Sequence, residues 1–264
     1  MSSTSTAGTS MAEIDRSWFE EWRRIARVNP GYVARLPHRY EGDNGEAFFE
    51  KRLGAALTPG SLALDLGCGG GEFTIRMASL AHVVGLDPFL EMLDYARSLP
   101  GQERATWVQG VGEALPFRDA VFDVLYSRRG PGSVPRVLPE VVRVLRPGGR
   151  FLEITIGERN AWELADIFGR GQMKGVEEPR STTLRRRLTE HGLRPRLVRD
   201  FVGRHVLLGG IDELAEALAG SPAIPDVDRQ RDAAALAEAA ERLKVDDGIA
   251  TTNHRVVLEA VKAR

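Results

Sequence analysis

The chain has 264 residues, and 42% of them are hydrophobic, which is enough to bury one substantial core. A formal net charge of −1 excludes a global basic field of the kind that attracts nucleic acid or an anionic membrane. The single cysteine, Cys68, excludes an intramolecular disulfide and is typical of a reducing cytoplasm. No apolar run approaches the roughly 20 residues of a membrane span, so we expect a cytoplasmic protein with no membrane partner.

The N-terminal part of the chain is predicted to be helical. Residues 1–11 are rich in Ser, Thr and Gly, lack the basic and apolar regions of a secretory signal, and are expected to form a disordered tail. A helix at 13–28 stops at an Asn-Pro-Gly sequence, and a second helix is predicted at 46–57. Residues 12–59 are therefore expected to form a helical cap.

From residue 60 onward, strand and helix patterns alternate. Apolar runs of strand length occur at 62–66, 82–86, 105–109, 122–126 and 150–154. Helical patterns lie between or after them, at 72–80, 89–99, 134–145 and 161–168. Strands that alternate with helices predict a doubly wound, Rossmann-like α/β sheet with helices on both faces.

The last third of the chain is less regular. A helix is predicted at 181–191, a strand at 196–202, and two further helices at 211–218 and 229–243. The final strand, 254–261, alternates apolar and polar residues, which indicates a position near the sheet edge. The simplest organisation is one domain over 60–264 with a helical insertion at about 206–250.

A glycine loop follows the first of these strands. The strand 62–66 runs into Gly67-Cys68-Gly69-Gly70-Gly71, and a helix begins near Glu72. Such a turn brings backbone close to a ligand at the carboxyl end of a strand. The dinucleotide pattern G-x-G-x-x-G fails, because its sixth position is Glu72, whose carboxylate also opposes a phosphate. The pattern that fits is acidic-x-G-x-G-x-G, which begins at Asp65.

A second acidic residue, Asp87, ends the next strand about twenty residues later. A carboxylate at this position can accept hydrogen bonds from both hydroxyls of a ribose. A ribose site without a pyrophosphate site indicates an adenosine that carries a non-phosphate tail. The loop 110–117, after the third strand, is placed to flank the adenine.

At this point the sequence resembles the class I S-adenosylmethionine-dependent methyltransferases, in the branch with LDLGCGxG, LPF…FD and RVLxPGG motifs. These motifs stand here at 64–71, 115–117 with 122–123, and 143–149, and the resemblance covers about residues 60–155. It implies a seven-stranded sheet, mostly parallel, whose last strand is antiparallel. It also implies that S-adenosyl-L-methionine is the cofactor and that the protein is a methyltransferase.

The resemblance assigns cofactor contacts position by position. The methionine end is expected at Asp65, Gly67 and Gly69, the ribose at Asp87, and the adenine beside Gly112 and Glu113. The remaining predicted contacts come from the loop, the apolar walls and the end of the fourth strand: Cys68, Pro88, Phe89, Met92 and Ser127. Val111 departs from the family pattern, which often has an acidic residue there to accept from the adenine amino group. Cys68 has no cationic neighbour in sequence and is interpreted as a packing residue rather than a nucleophile.

Methyl transfer depends on alignment of the acceptor atom with the methyl carbon more than on acid–base chemistry. Because alignment needs no characteristic side chain, the sequence gives only candidates for catalytic residues. His38 and Tyr40 are possible bases in the polar stretch 37–44, which is placed between two helices as a possible lid. Arg128, with Arg129, follows the fourth strand and has the chemistry to clamp a carboxylate or phosphate, although it equally fits a solvated surface. Glu158 follows the fifth strand. No spacing of His, Cys, Asp and Glu is typical of a metal site, so no metal is predicted, and His205 and His254 are interpreted as structural.

The acceptor remains open between substrate classes. A small molecule is favoured, because the net charge is near neutral and much of the chain is assigned to cap elements. The alternative is an RNA base, since ten arginine and lysine residues crowd the segment 170–204 and residues 154–164 loosely resemble bacterial ribosomal-RNA guanine methyltransferases. No RNA-binding module is recognisable. A cofactor-binding protein without transfer activity is a third hypothesis, and the oligomeric state is not predicted.

Overall fold

A computed structural model describes residues 11–32 and 36–263, with the backbone alone at 11–18 and 32. The predicted tail lies outside the described residues except for Met11, which begins the first helix. The helices are α1 (Met11–Val28), α2 (Glu46–Gly54), α3 (Glu72–Met77), α4 (Leu90–Ser98), α5 (Leu138–Val144), α6 (Trp162–Ile167), α7 (Arg180–Glu190), α8 (Ile211–Ala219) and α9 (Ala233–Arg242). The strands are β1 (His38–Glu41), β2 (Leu62–Leu66), β3 (His82–Asp87), β4 (Ala105–Gln109), β5 (Phe122–Arg128), β6 (Leu145–Ile156), β7 (Leu193–Leu208), β8 (Lys244–Val245) and β9 (Gly248–Lys262).

The described strands form one nine-stranded sheet in the order β4-β3-β2-β5-β6-β9-β7-β1, with β8 paired to β9. Strands β2 to β6 pair in parallel, and β9 is antiparallel to both β6 and β7. The predicted doubly wound sheet with an antiparallel last strand is therefore confirmed. Two short strands, β1 and β8, add to the seven that the resemblance implies.

Helices cover both faces of the sheet. On one face, α5 and α7 pack against the central strands through a cluster that includes Leu138, Val141, Leu184 and Leu188. On the other face, α2 and α3 pack through Phe49, Leu53, Phe73 and Met77. Because β2 is buried on both sides, its sequence LALDL is almost entirely apolar.

The expectation that the final strand lies near the sheet edge is wrong. β9 lies between β6 and β7, and residues 253–260 are all buried. The polar residues that produced the alternation have partners inside the fold. Glu259, for example, binds Arg52 of α2 and Arg150 of β6, the latter at 2.6 Å. Charged residues that are buried in ion pairs therefore gave β9 the apolar/polar alternation that is typical of a strand with one exposed face.

Strand β7 is longer than predicted and carries an additional edge strand. It continues six residues past 202 and pairs with β1, which is formed by His38–Glu41. A Cβ atom on Gly203 would lie 2.5 Å from the carbonyl oxygen of Glu41, so a glycine is needed for this close approach. The polar stretch predicted as a lid thus contributes an edge strand to the sheet.

The remaining helices gather at the carboxyl end of the sheet. α6, α8 and α9 form a third apolar cluster with Leu207 of β7 and Ile249 of β9. α1 contributes Ala26 to a small separate cluster with Phe89 and Met92. No helix in the described part of the chain combines the length and apolar composition that a membrane span requires.

A carboxylate is buried in the middle of the sheet. Glu153 of β6 has no exposed surface, and its Oε1 accepts a hydrogen bond from the Ser133 backbone N–H at 3.3 Å, while Oε2 has no partner. Burial raises the pKa of Glu153 to about 7, against a lowering effect of the Ser133 hydrogen bonds and Arg180. The folded chain therefore binds this proton more tightly than the unfolded chain does.

We expect Glu153→Gln to change stability in a pH-dependent way. With a folded pKa near 7 and an unfolded pKa near 4.5, the stabilisation from protonated Glu153 is present below the unfolded value and is lost as pH rises through 7. Glutamine does not ionise. The free energy of unfolding of the variant should therefore rise relative to that of wild type by on the order of 3 kcal/mol between pH 4.5 and pH 8. Urea unfolding at several pH values measures this difference. Glu103→Gln, at an exposed carboxylate, is the control with no such trend, and a Glu153→Gln difference that does not vary with pH would contradict the assignment.

Candidate active site

A cavity of about 1380 Å³ lies along the carboxyl edge of the sheet, where open α/β sheets bind their ligands. Its volume exceeds the roughly 300–1,000 Å³ of a pocket for one drug-sized ligand, so it is large enough for more than one small molecule. We call the part at the ends of β2, β3 and β4 the glycine half. The part at the ends of β5, β6, β9 and β7 is called the arginine half. α1 lines the cavity with Phe19, Trp22 and Val28, and α8 lines it with Leu214 and Leu218.

The glycine loop forms the floor of the glycine half. Gly67, Gly69 and Gly71 all have positive φ angles, of 77°, 52° and 81°, which favour glycine. The Gly67 N–H donates to the Leu86 carbonyl oxygen at 2.9 Å, which fixes the loop to β3. A Cβ atom on Gly67 would lie 2.9 Å from Cδ of Pro131, so the loop touches the segment that follows β5.

Two predicted cofactor contacts, Asp65 and Ser127, do not line the cavity. Asp65 is 2% exposed and lies behind the loop, where Thr74 Oγ1 donates to its Oδ2 at 2.7 Å. Burial raises the pKa of Asp65 to about 7, and the Thr74 hydrogen bond opposes this. Ser127 is fully buried, and its Oγ donates to the Leu66 carbonyl oxygen at 2.8 Å. Both side chains point away from the cavity, so their place is to support the loop from behind.

Cys68 lines the cavity at the centre of the loop, and its N–H donates to the Leu86 carbonyl oxygen at 3.0 Å. Burial, and then the carboxylates of Asp65 and Asp87, raise the pKa of its thiol well above the usual range. A protonated thiol is a weak nucleophile. We therefore keep the interpretation of Cys68 as a packing residue.

Asp87 ends β3 at the cavity wall and is 6% exposed. Its Oδ2 accepts from the Gly69 N–H and its Oδ1 from the Phe89 N–H, both at 3.0 Å. Burial raises the pKa of Asp87 to about 6, and these two hydrogen bonds oppose the rise. The carboxylate is thus held in one orientation beside the glycine loop, with remaining lone pairs on each oxygen.

The helix α1 closes the glycine half from above. Phe19 of α1 packs on Phe89, with ring centroids 5.1 Å apart. Just after α1, the Gly31 N–H lies 3.2 Å from Sδ of Met92, and a Cβ atom on Gly70 would lie 2.4 Å from Cα of Gly31. Pro88, Phe89 and Met92, which are predicted to form apolar walls around the adenine, all line the cavity.

The loop after β4 forms the far wall of the glycine half. Gly112 and Glu113 line the cavity, and the Glu113 carboxylate accepts from Arg136 Nε at 2.5 Å. Val111, which departs from the family pattern, is 38% exposed and pairs with Ala114 across a short turn. Val111 has no acceptor in its side chain, so the acceptors that this loop offers to the cavity are its backbone carbonyl groups and the remaining lone pairs of Glu113.

The two arginines after β5 have different environments. Arg128 is held by the protein itself, because its Nε donates to Glu46 at 2.8 Å and its guanidinium lies 5.2 Å from the Phe73 ring centroid. Arg129 has a left-handed backbone with φ of 63°. Its Nε is buried without a hydrogen-bond partner, 3.9 Å from Glu46. Both line the cavity, and Arg129 is the one with capacity for a ligand.

A group of three rings lies at the end of the arginine half. His38 and Tyr40 of β1 and His205 of β7 all line the cavity, with ring centroids 5.2 to 5.6 Å apart. Burial, then the charges of His38 and Arg255, lower the pKa of His205 to about 4. His205 is therefore a neutral imidazole at neutral pH. It was predicted to be structural, but the pairing of β1 with β7 brings it beside both predicted bases.

Glu158 does not line the cavity, in contrast to its prediction as a catalytic candidate. Its Oε2 accepts from the Arg180 N–H at 2.9 Å, at the start of α7. Together with Asp200 and His254, it forms a group whose possible ligand atoms lie within 4.8 Å of one another. Sequence spacing could not reveal this group. Both His254 nitrogens already have partners, the Arg159 N–H at 3.2 Å and Asp200 Oδ1 at 3.0 Å, so we interpret it as a link between β6, β7 and β9.

Three further cavity residues were missed by the sequence analysis as site residues. They come from distant segments: Arg180 from α7, and Asn253 and Arg255 from β9. Arg180 Nε and both polar atoms of the Asn253 amide are buried without a hydrogen-bond partner. No sequence signal marks them, because their position depends on β9 entering the sheet beside β6.

Comparison with known proteins agrees with this geometry. Residues 64–152 match a family model described as a methyltransferase domain. An uncharacterized methyltransferase from Synechocystis sp. is 30% identical over 227 residues, which is 79% of this chain and 98% of that relative. A demethylmenaquinone methyltransferase from Symbiobacterium thermophilum is 36% identical over 105 residues, which is 36% of this chain and 42% of that relative. A crystal structure of a putative methyltransferase from Bacillus halodurans has a TM-score of 0.63 at 18% identity, covering 83% of this chain and 98% of that chain.

The fold and cavity define an α/β protein with an open cavity at the carboxyl edge of its sheet, beside a glycine loop. The sequence comparison then gives the family plainly: the chain belongs to the class I S-adenosylmethionine-dependent methyltransferases.

Proposed function

We propose that the protein binds S-adenosylmethionine in the glycine half of the cavity and transfers its methyl group to a small molecule bound in the arginine half. The observation that carries the proposal is the Asp87 carboxylate, oriented by two backbone N–H groups at the cavity wall beside the glycine loop. A ribose diol is the ligand group that matches two carboxylate oxygens held in this way.

The residues of the glycine half fit the cofactor. The position of a Cβ on Gly69 has no atom within 4 Å, so its backbone is open to a ligand. Asp87 would bind the ribose, Met92 and Pro88 would flank the adenine, and Gly67 would lie along the methionine end. When bound, S-adenosylmethionine supplies a methyl group on a positively charged sulfur, and the carbon–sulfur bond breaks with its electron pair left on sulfur as the acceptor lone pair forms the new bond.

The protein's own contribution is orientation and the exclusion of water. α1 and α8 enclose the cavity, and the strand ends place the two halves side by side. Such orientation can supply about 7–11 kcal/mol of barrier reduction. An acceptor that is protonated at working pH also needs a base, which typically contributes about 10²–10⁴-fold. His38 and Tyr40 are the candidates for that base. His205, whose pKa is lowered to about 4, is too weak a base for this role.

A small-molecule acceptor is favoured over RNA. Several of the arginines that suggested an RNA surface already have partners in the protein: Arg186 binds Glu178 at the surface, Arg170 binds Asp232, and Arg199 stacks on the rings of Phe48 and Phe201. The Symbiobacterium relative is named for demethylmenaquinone, which is a small molecule.

The proposal can be tested with S-adenosylmethionine labelled on its methyl group. The full chain is incubated separately with a small-molecule fraction of a cell extract and with total RNA, and the transferred label is counted. We expect transfer to the small-molecule fraction and none to RNA. Label in RNA alone would favour the RNA alternative, and binding of the cofactor without transfer to either would support a non-catalytic protein.

A further inference from the structure

The arginine half of the cavity has an excess of positive charge. Its strand ends and α7 bring Arg128, Arg129, Arg180 and Arg255 to the lining. Among the described residues that line the cavity on this side, the carboxylates are Glu46, which lies 2.8 Å from Arg128 and 3.9 Å from Arg129, and Glu216, which is exposed on α8. Glu153 and Glu158 lie behind this lining, where both interact with Arg180. Strands lie about 4.8 Å apart, so Arg129 at the end of β5 and Arg255 on β9 are about two strand spacings apart. A cavity with this charge attracts an anion.

Polar groups in this half are buried with no partner in the protein. Nε of Arg129 and Nε of Arg180 have no hydrogen-bond acceptor, and Asn253, which is 1% exposed, uses neither its amide oxygen nor its amide nitrogen. Buried donors are nearly always satisfied in folded proteins. A ligand that accepts hydrogen bonds from Arg129 and Arg180 would satisfy them.

The backbone at Arg129 supports the same interpretation. Its φ of 63° is uncommon for a residue with a side chain, and it is fixed by the N–H of Arg129, which donates to the Ile154 carbonyl oxygen at 2.7 Å. Strained positions of this kind cluster at ligand sites. Arg129 lines the cavity, and the next residue, Gly130, has its Cα 3.3 Å from the position of a Cβ atom on Gly67.

Another part of the lining of the arginine half is apolar. Side chains of the third apolar cluster line the cavity there: Leu164, Leu207, Leu214, Leu218 and Ile249. A ligand that fills this half therefore meets both guanidinium groups and hydrocarbon.

We infer that the methyl acceptor is an anionic amphiphile, with a carboxylate or phosphate bound by Arg129 and Arg180 and an apolar body against the wall of α6 and α8. Asn253 donates a further hydrogen bond to the anionic group. This inference rests on the proposed function, because it assigns the arginine half to the acceptor. It also assigns different roles to the two adjacent arginines: Arg128 is a structural residue, and Arg129 determines specificity for an anionic acceptor.

The test uses eight-carbon probes that differ only in their head group. Octanoate, octyl phosphate, octanol and octylammonium are titrated by calorimetry into the full chain saturated with S-adenosylhomocysteine. We expect at least one anionic probe to bind ten or more times as tightly as octanol, and octylammonium to bind more weakly than octanol. The ratio of octanoate to octyl phosphate identifies which anion is recognised. Equal binding of octanoate, octyl phosphate and octanol would overturn the inference.

Matched variants locate the anion site. Arg180→Gln and Arg129→Gly should each weaken binding of the anionic probe at least tenfold. Each should keep the affinity for S-adenosylhomocysteine within about twofold of the wild-type value. Glycine suits the positive φ at 129, and Arg129→Lys, which keeps the charge, should retain most of the binding. Arg186→Gln removes the same charge from an exposed position on α7 and should change neither affinity. Equal weakening by Arg186→Gln, or no weakening by the other two, would overturn the inference.

The same titrations distinguish the two proposals. If wild type binds S-adenosylhomocysteine but shows no preference for anions, the acceptor class is wrong and the proposed function stands. If wild type does not bind S-adenosylhomocysteine, the proposed function fails and the inference fails with it.

Discussion

Asp87→Ala is expected to weaken binding of S-adenosylhomocysteine about a hundredfold or more. The carboxylate accepts from the Gly69 and Phe89 N–H groups at 3.0 Å, and in the proposed complex it also accepts from both ribose hydroxyls. Loss of charge-assisted hydrogen bonds of this kind costs about 3 kcal/mol, which corresponds to roughly two orders of magnitude in affinity. Isothermal titration calorimetry measures the effect directly.

Two controls make the Asp87 result specific. Asp94→Ala removes a carboxylate from the exposed face of α4 and should leave the affinity unchanged. In wild type, the affinity should also fall as pH drops below about 6, because the pKa of Asp87 is raised to about 6 and the ionised form binds ribose. Asp87→Asn should lose this component of the pH dependence. An Asp87→Ala protein that is folded and binds with unchanged affinity would refute the ribose assignment.

Gly67→Val is expected to abolish cofactor binding. Valine is strongly disfavoured at a φ of 77°, and its Cβ would lie 2.9 Å from Cδ of Pro131 and 3.3 Å from Cα of Gly130. The loop and the segment after β5 would have to separate, which disrupts the boundary between the two halves of the cavity. We expect no binding of S-adenosylhomocysteine at 1 mM ligand, on the order of a thousandfold loss from micromolar affinity.

Gly60→Val is the matched control for this variant. Gly60 has a similar φ of 90°, but a Cβ atom there would have no neighbour within 4 Å. Both variants carry backbone strain of about 1–3 kcal/mol, so both should be less stable than wild type. Only Gly67→Val should lose binding of S-adenosylhomocysteine. Retained binding by a folded Gly67→Val protein would mean that the loop is a structural turn and not a cofactor site.

The sequence predicted the parts of the site that follow from local chain order. The glycine loop and Asp87 each come at the end of a strand, and parallel strands place their ends at one edge of the sheet. Side-chain direction was harder to predict. Asp65 and Ser127 also lie at strand ends, yet they point behind the loop to Thr74 and the Leu66 carbonyl oxygen.

The arginine half could not be predicted, because it depends on long-range pairing. Arg180, Asn253 and His205 line one cavity because β9 lies between β6 and β7. The alternation in β9 indicated an edge strand instead. The adjacent arginines at 128 and 129 look equivalent in sequence. Their difference comes from the position of Glu46 on α2 and the left-handed backbone at 129.

The central claim, that the cavity aligns S-adenosylmethionine with an acceptor, is tested most directly by a crystal structure of the protein with S-adenosylhomocysteine. We predict both ribose hydroxyls within hydrogen-bond distance of the Asp87 carboxylate and the sulfur directed toward Arg129 and the arginine half. A ligand whose ribose does not contact Asp87, or whose sulfur faces away from the arginine half, would contradict it.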